Sequence, residues 1–259
     1  MKISIITPVF NNETLIARAI NSIHNQTYQN IEHIIVDGKS TDNTIGIIKN
    51  SKFFNRIILI SEEDKGLYDA INKGIMHSSG SVISLLHSDD IFSSNKIVNL
   101  IMQKFLYDKE LELIYGDVIF CNPFTKKIIR KYESKNFNPS FLNRGIIPAH
   151  TSCFIKKSVF LEFGYYDPNY RIAGDFEFIS RIFCSRMINF NYIQKNLIKM
   201  APGGLSSKNF ISHIIINMEI VKALKKNKIQ ISYIRLFLRY FTKIKEFIFI
   251  QKILRLFIR

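Results

Sequence analysis

The sequence predicts an α/β fold with a doubly wound, mostly parallel central sheet, and three observations lead there. Short β-rich runs alternate with helical patterns through the first ninety residues. Each run gives way at once to a polar loop, the arrangement of sheets that gather ligands beyond the carboxyl ends of their strands. A chain of 259 residues that is 47% hydrophobic and 13% aromatic supports one sizeable core, with or without a terminal extension.

Ile3 to Ile6 reads as the first strand, and Glu13 to His24 as a helix, with Leu15, Ile16, Ala19, Ile20 and Ile23 at helical spacing. Ile31 to Val36 is the second strand, and Thr41 to Ile48 the second helix, capped by Ser40 or Thr41 with Asp42 in its first turn. Arg56 to Ile60 and Val82 to Leu86 read as strands flanking a helix over Leu67 to Met76. A further helix starts around Ser93 to Lys96. Strands follow near Leu113 to Phe120, Lys127 to Lys131, Thr151 to Ile155 and Asn189 to Leu197, with a helix over Phe176 to Cys184. From Phe210 the pattern is helical to the end, and no internal repeat is visible.

Four polar loops share one rim of that sheet: Thr7 to Asn12, Asp37 to Ser40, Glu62 to Gly66, and His87 to Asp90. The last is the most informative. An apolar run ending in Asp89-Asp90 places two anions side by side, and they stay ionised more easily beside a cation. Hard carboxylate oxygens suit Mg²⁺ or Mn²⁺, ions that also bridge nucleotide phosphates; the plainer alternative is an exposed turn capping the next helix.

Charge points the same way. Lys and Arg number 36 against 21 Asp and Glu, a net +15, which calls for an anionic partner. From Lys222 onward there are eleven Lys or Arg and one Glu, so about +10 lies in the last 38 residues. Cys121, Cys153 and Cys184 are widely spaced and odd in number, which fits a reducing compartment and excludes a disulfide framework or Cys-x-x-Cys zinc site. Met1-Lys2 runs straight into the first strand with no signal-peptide pattern, and no apolar stretch reaches membrane-spanning length, so a cytoplasmic location is expected.

Ile5 to Asn11, Ile34 to Asp42, Asp64 to Gly74 and the Asp89-Asp90 pair, in that order and spacing, resemble family-2 inverting glycosyltransferases of the glycosyltransferase-A fold, the bacterial O-antigen and surface-polysaccharide type above all. The likeness covers about residues 3 to 206. It implies a catalytic domain over 1–206, with a nucleotide-binding half over 1–110 and an acceptor-binding half over 111–206, and a basic amphipathic helical extension over 207–259. The resemblance implies a UDP-sugar donor, with Thr7, Pro8 and Phe10 lining the nucleotide, Asp37 accepting the uracil N3 proton, and Asp64 reaching the ribose or base. Asp69 and Asn72 would orient the donor sugar or the metal loop; Asp89 would face the ribose hydroxyls and Asp90 would hold Mn²⁺ or Mg²⁺. His87, where the family has another residue, reads as a packing or hydrogen-bonding group. Asp175, in Arg171 to Phe178, would be the base that takes the proton of the acceptor hydroxyl, with Glu177 as alternate. Asp117 and His150 stand where the family keeps residues near donor or acceptor; Arg181 is a partner for a carboxylate or phosphate. Pro202 to Ser206 reads as a mobile loop over the diphosphate or a plain linker. The family's Asp is Gly38 here, and Lys39 replaces a small residue.

Ile231 to Arg259 carries Ile234, Phe237, Leu238, Phe241, Ile244 and Ile248 at helical spacing, with Arg235, Arg239, Lys243 and Lys252 on other faces. Such a helix suits the plane of an anionic inner-membrane surface, where each cation contributes about 1 kcal/mol; packing on the catalytic domain or a partner chain is the alternative. The resemblance implies an undecaprenyl-diphosphate-linked saccharide acceptor on that surface, and hence a peripheral membrane enzyme. A homodimer is left open and no nucleic acid is expected, since the tail lacks a nucleic-acid fold signature. Two competing readings are a non-catalytic membrane- or nucleic-acid-binding protein and a nicotinamide oxidoreductase. The latter lacks Gly-x-Gly-x-x-Gly after Ile6.

Overall fold

The chain opens with repeated β/α units: β1 (Ile3–Val9), α1 (Ile16–His24), β2 (Ile31–Asp37), α2 (Thr44–Lys49), β3 (Ile57–Ser61), α3 (Leu67–His77) and β4 (Val82–Leu85). Then come β5 (Ile91–Phe92), α4 (Ile97–Tyr107), β6 (Leu113–Cys121), β7 (Ile128–Tyr132), β8 (Phe154–Lys156), α5 (Lys157–Phe163), α6 (Gly174–Ser185), β9 (Phe190–Met200) and α7 (Phe210–Lys226). The computed structural model describes residues 1–204, 210–234 and 236. Nearly all of the expected helix over Ile231 to Arg259, and Leu205-Ser206 of the expected loop, lie outside those residues.

One sheet runs in the order β3-β2-β1-β4-β8-β6-β9-β5, with β7 paired to β6. The first four strands are parallel, as the βα rhythm predicts. β6 and β9 are also parallel, whereas β8, β5 and β7 pair antiparallel to their neighbours. Helices cover both faces, and successive β1 residues serve opposite layers. Ile3 and Ile5 pack with Ala19 and Ile23 of α1 and Ile97 and Ile101 of α4. Ile6 packs with Ala70, Ile71 and Ile75 of α3 and with Phe178 and Ile182 of α6.

β1 extends three residues past the predicted end, through Thr7, Pro8 and Val9, which align with Ile35, Val36 and Asp37 of β2. Proline is tolerated because β4 pairs with β1 only as far as Ile6, so the side on which Pro8 lacks an N–H has no neighbour to bond. α2 begins at Thr44, not Thr41, and its N-cap Asn43 makes no side-chain cap bond; Asp42 precedes the helix and accepts from the Thr44 N–H. β5 and α5 are additions that pattern reading missed. Two residues of strand and seven of helix are too short to display a period.

α7 packs Ile220, Ala223 and Leu224 into the core beside α6 while Ile211, Ile214 and Met218 stay exposed. Among the described residues no helix is long and apolar enough to cross a membrane.

Candidate active site

Parallel pairing brings the ends of β1 to β4 to one edge, and hydrogen bonds stitch their loops together. The Asn11 N–H donates to Ser40 Oγ at 2.8 Å, and Asn11 Oδ1 accepts from the Thr41 N–H at 2.8 Å. Asn12 Nδ2 donates to Ser88 Oγ at 2.8 Å, tying the first loop to the Asp-Asp turn. Asn11 (φ 48°) and Lys39 (φ 63°) hold left-handed backbone that non-glycine residues adopt sparingly, as loops around functional sites often do. The rim loops that hold these asparagines and serines are legible in the sequence, but their bonds to one another are not, because a single Asn or Ser in a loop carries no pattern.

On the β2–β3 side, Asp37 is fully buried. Its carboxylate accepts from the Ser40 N–H at 3.2 Å and the Ser61 hydroxyl at 2.7 Å. A base edge therefore reaches Asp37 only after neighbouring side chains shift. Asp64 is partly exposed and accepts from the Gly66 N–H at 2.9 Å. A Cβ on Gly38 would fall 2.3 Å from Asp64 Oδ2 and 3.6 Å from the Phe10 ring, so the glycine is what lets that carboxylate lie over the loop. Phe10 is 61% exposed, a large apolar face left beside these acids. Pro8 is buried in β1.

The Asp-Asp turn is closed by the Asp90 N–H donating to the His87 carbonyl at 3.0 Å. Asp90 is 1% exposed; its Oδ1 accepts from the Ala201 N–H at 3.2 Å, and its Oδ2 is buried with no partner among the described residues. Burial, and next the charge of Asp89, push the Asp90 carboxyl well above its ordinary range despite the Ala201 N–H. Burial likewise raises Asp89. One ligand atom each from His87, Asp89 and Asp90 lie within 4.8 Å of one another. A buried orphan oxygen in a cluster of two carboxylates and an imidazole suits a hard divalent cation, which would lift both penalties at once.

Across from this cluster, Asp175 stands in the first turn of α6. Its Oδ2 lies 3.0 Å from His150 Nδ1, and its Oδ1 accepts from the Phe176 N–H at 2.8 Å and the Tyr68 hydroxyl at 3.4 Å. Gly174 gives Tyr68 its place: a Cβ there would lie 2.7 Å from the ring, and the hydroxyl also donates to the Ile172 carbonyl at 2.5 Å. Burial pushes the Asp175 carboxyl up, but the hydrogen bond and charge of His150, with the Phe176 N–H and Tyr68 hydroxyl, outweigh it and hold it below its ordinary value. His150 Nε2 in turn lies 3.2 Å from His87 Nε2. Burial and then His150 lower His87 to about 3, against the pull of Asp175. Tyr68 and the His150 bridge were beyond the sequence, since 107 positions separate Tyr68 from Asp175 and 63 separate His150 from His87.

Other predicted site residues have different employment. Thr7 is the clearest correction: within the lengthened β1 it is fully buried, with Oγ1 3.1 Å from His33 Nε2. Asn72 is buried within the fold. Its amide clamps the Tyr166 backbone, donating to the carbonyl at 2.7 Å and accepting from the N–H at 3.0 Å. Asp69 accepts from the Lys65 N–H at 3.0 Å and pairs with Lys73 at 3.4 Å. Glu177 is fully buried against Arg181 and Lys226, each at 3.0 Å, which removes it as an alternate base. Arg181 also binds the Phe163, Gly164 and Tyr165 carbonyls, so its charge is used inside the fold. Asp117 accepts from the Ser134 N–H and the Tyr192 hydroxyl, both at 2.9 Å, and pairs with Lys131.

Known proteins share this architecture and sequence. A PGL/p-HBAD biosynthesis glycosyltransferase of Mycobacterium bovis is 27% identical over 225 residues, 85% of this chain and 83% of the relative. An uncharacterized glycosyltransferase of Mycobacterium tuberculosis is 31% identical over 181 residues, 69% of this chain and 68% of the relative. Among solved structures, residues 1–349 of S. aureus TarS in complex with UDP-GlcNAc superpose with a TM-score of 0.64 at 17% identity, over 86% of this chain and 66% of that one. The mannosyltransferase PcManGT from Pyrobaculum calidifontis, in complex with GDP-Man and Mn²⁺, gives 0.63 at 16%, over 87% and 63%. The family model for glycosyl transferase family 2 matches residues 4–167, and with the rim just described the chain belongs to that family of glycosyltransferases.

Proposed function

We propose that this enzyme moves a sugar from a UDP-sugar, with inversion and with the help of Mn²⁺ or Mg²⁺, onto a lipid-diphosphate-linked saccharide in O-antigen or related surface-polysaccharide synthesis. The observation that carries the reading is the pairing of two unlike acid sites. Asp90 keeps a buried oxygen with no partner among the described residues beside Asp89, and Asp175 keeps a fully supported carboxylate one histidine bridge away. Asp89 and Asp90, with His87 beside them, are the residues that would hold the ion. When bound, it neutralises the charge that grows on a leaving diphosphate. Asp175 takes the proton of the attacking hydroxyl, and Tyr68 and His150 hold its carboxylate in place for that transfer. Phe10 offers the nucleobase an apolar face, with Asp64 and, below it, Asp37 as acceptors for base or ribose donors. The UDP-GlcNAc and GDP-Man complexes of the structural neighbours support a nucleotide-sugar donor.

The acceptor reading draws on the surface of α7. Ile211, Ile214 and Met218 are exposed on the helix that leads toward the cationic C-terminal residues, which suits contact with an anionic inner-membrane face. Family membership weighs against the alternative of a non-catalytic binding scaffold.

A panel of nucleotide sugars, offered with lipid-diphosphate-linked GlcNAc or GalNAc, tests the proposal. Transfer from one UDP-sugar, stimulated by Mn²⁺ or Mg²⁺ and lost in Asp90→Ala, is the expected result. Full activity of Asp90→Ala in excess chelator would reject metal assistance.

A further inference from the structure

The two acid sites are joined by a continuous row of polar contacts. Asp175 Oδ2 lies 3.0 Å from His150 Nδ1, and His150 Nε2 lies 3.2 Å from His87 Nε2. Both rings are largely enclosed, and their planes are inclined at 52°, so they meet through nitrogens and not face to face. With both rings neutral, counting hydrogens along the row sets its polarity. An ionised carboxylate only accepts, so the hydrogen between Asp175 and His150 sits on Nδ1. In the neutral form of His150 that single N–H is the one on Nδ1, which leaves Nε2 as an acceptor, whereas the charged form would donate from both nitrogens. Two lone pairs facing each other at 3.2 Å would repel, so the hydrogen of the second contact belongs to Nε2 of His87. In that neutral row His87 has no hydrogen on Nδ1, and the lone pair of that nitrogen has no donor among the described residues.

The ring bearing that lone pair contributes to the cluster in which single ligand atoms of His87, Asp89 and Asp90 lie within 4.8 Å of one another. The neighbouring Asp90 oxygen is independently short of a partner among the described residues. We propose that Asp175, His150 and His87 form one hydrogen-bonded row that fixes both imidazole tautomers and presents Nδ1 of His87 as a nitrogen donor to the divalent cation held by Asp89 and Asp90. The inference rests on the metal-assisted reading above and adds a third ligand to it. His150 becomes a positioning residue with two duties, orienting the base on one side and the ligand ring on the other, as outer-shell partners of metal-bound imidazoles do. The family's usual residue at position 87 is replaced by one whose ring can take part in both sites.

The test uses the full chain with nitrogen-15 in its histidines. Long-range proton–nitrogen correlation spectra at mildly alkaline pH should show His150 with its hydrogen on Nδ1 and His87 with its hydrogen on Nε2. A His87 hydrogen on Nδ1 overturns the proposal without requiring any variant to fold. Binding of Mn²⁺ alone, read from the electron paramagnetic resonance of the free ion, provides the second measurement. His87→Ala should weaken it about tenfold or more, the scale of losing one metal contact or its support. His150→Asn keeps a donor near Asp175 but offers no acceptor to His87, and should weaken Mn²⁺ in the same way. His150→Gln places an amide oxygen near the former Nε2 and should restore most of the affinity. Wild-type affinity in His87→Ala, with binding lost in Asp90→Ala, would overturn the row and leave the metal reading standing. Unchanged affinity in Asp90→Ala would defeat that reading itself.

Discussion

Asp90 and Asp175 are both enclosed acids on one edge of the sheet, yet their surroundings push them in opposite directions. Asp90 has one backbone N–H, an anionic neighbour and a stranded oxygen, and its carboxyl is pushed well up. Asp175 has an imidazole, a backbone N–H and a phenol around it, and its carboxyl is held down. Burial acts on both; the number and sign of the partners decide the outcome. A carboxyl starved of donors is prepared for a cation, and one supplied with donors stays ionised and ready for a proton at neutral pH.

The linkage to stability follows with opposite signs. Asp175, lowered in the folded state, contributes stability that is present above the ordinary carboxylate range and lost as pH falls through its folded value. Asp90, raised in the folded state, costs stability as pH rises above the ordinary carboxylate range, where the unfolded chain releases a proton that the folded chain retains.

The sharpest way to break the comparison is to neutralise the supplied acid. Asp175→Asn keeps the shape and most hydrogen bonds, and should lower kcat by about 10²–10⁴ with little change in donor KM, the usual worth of a general base. Initial rates against donor and acceptor concentration check it, and an unchanged kcat would remove Asp175 from the chemistry. Next in size, Arg181→Met leaves the buried Glu177 with Lys226 as its one cation among the described residues and removes the Arg181 bonds to three backbone carbonyls, and should cost about 3 kcal/mol, or roughly 10 °C in Tm. Transfer per folded molecule should persist, which separates this buried structural acid from the catalytic one. A selective loss of kcat with Tm intact would return Glu177 to the site. The smallest effect sharpens the starved side. Asp90→Asn should raise the Tm of the metal-free protein by about 2–4 °C at mildly alkaline pH, a gain of about 1 kcal/mol, while abolishing the response of Tm to Mn²⁺. A lower Tm for this variant would mean that Asp90 is not under strain from burial.

Legibility divides along the same line between the two halves. In residues 1–110, strand and helix alternate locally, so the order of elements and the positions of Asp37, Asp64, Asp89 and Asp90 could be read from period and loop chemistry. The exact strand end could not: Pro8 reads as a terminator, and only the early departure of β4 shows why β1 continues past it and buries Thr7. In residues 111–206, β6 pairs with β7, β8 and β9, contacts fixed by no local pattern; the strand read over Thr151 to Ile155 is present as β8 but begins only at Phe154, and seven-residue α5 is too brief to announce itself. Asp69 and Asn72 share a stretch of helix in the sequence, but the loop carrying Tyr166 claims the second and Lys73 the first.

By itself the sequence determined the α/β class, the parallel half of the sheet, the rim on which the acids gather and the family to which its motifs belong, because periodicity and loop chemistry are local properties. Tertiary structure alone decided which acids are satisfied and which are not. Protonation depends on what long-range packing places within about 3 Å of a carboxylate, and residues such as Tyr68, His150 and Ala201 reach Asp175 and Asp90 only once distant segments have met.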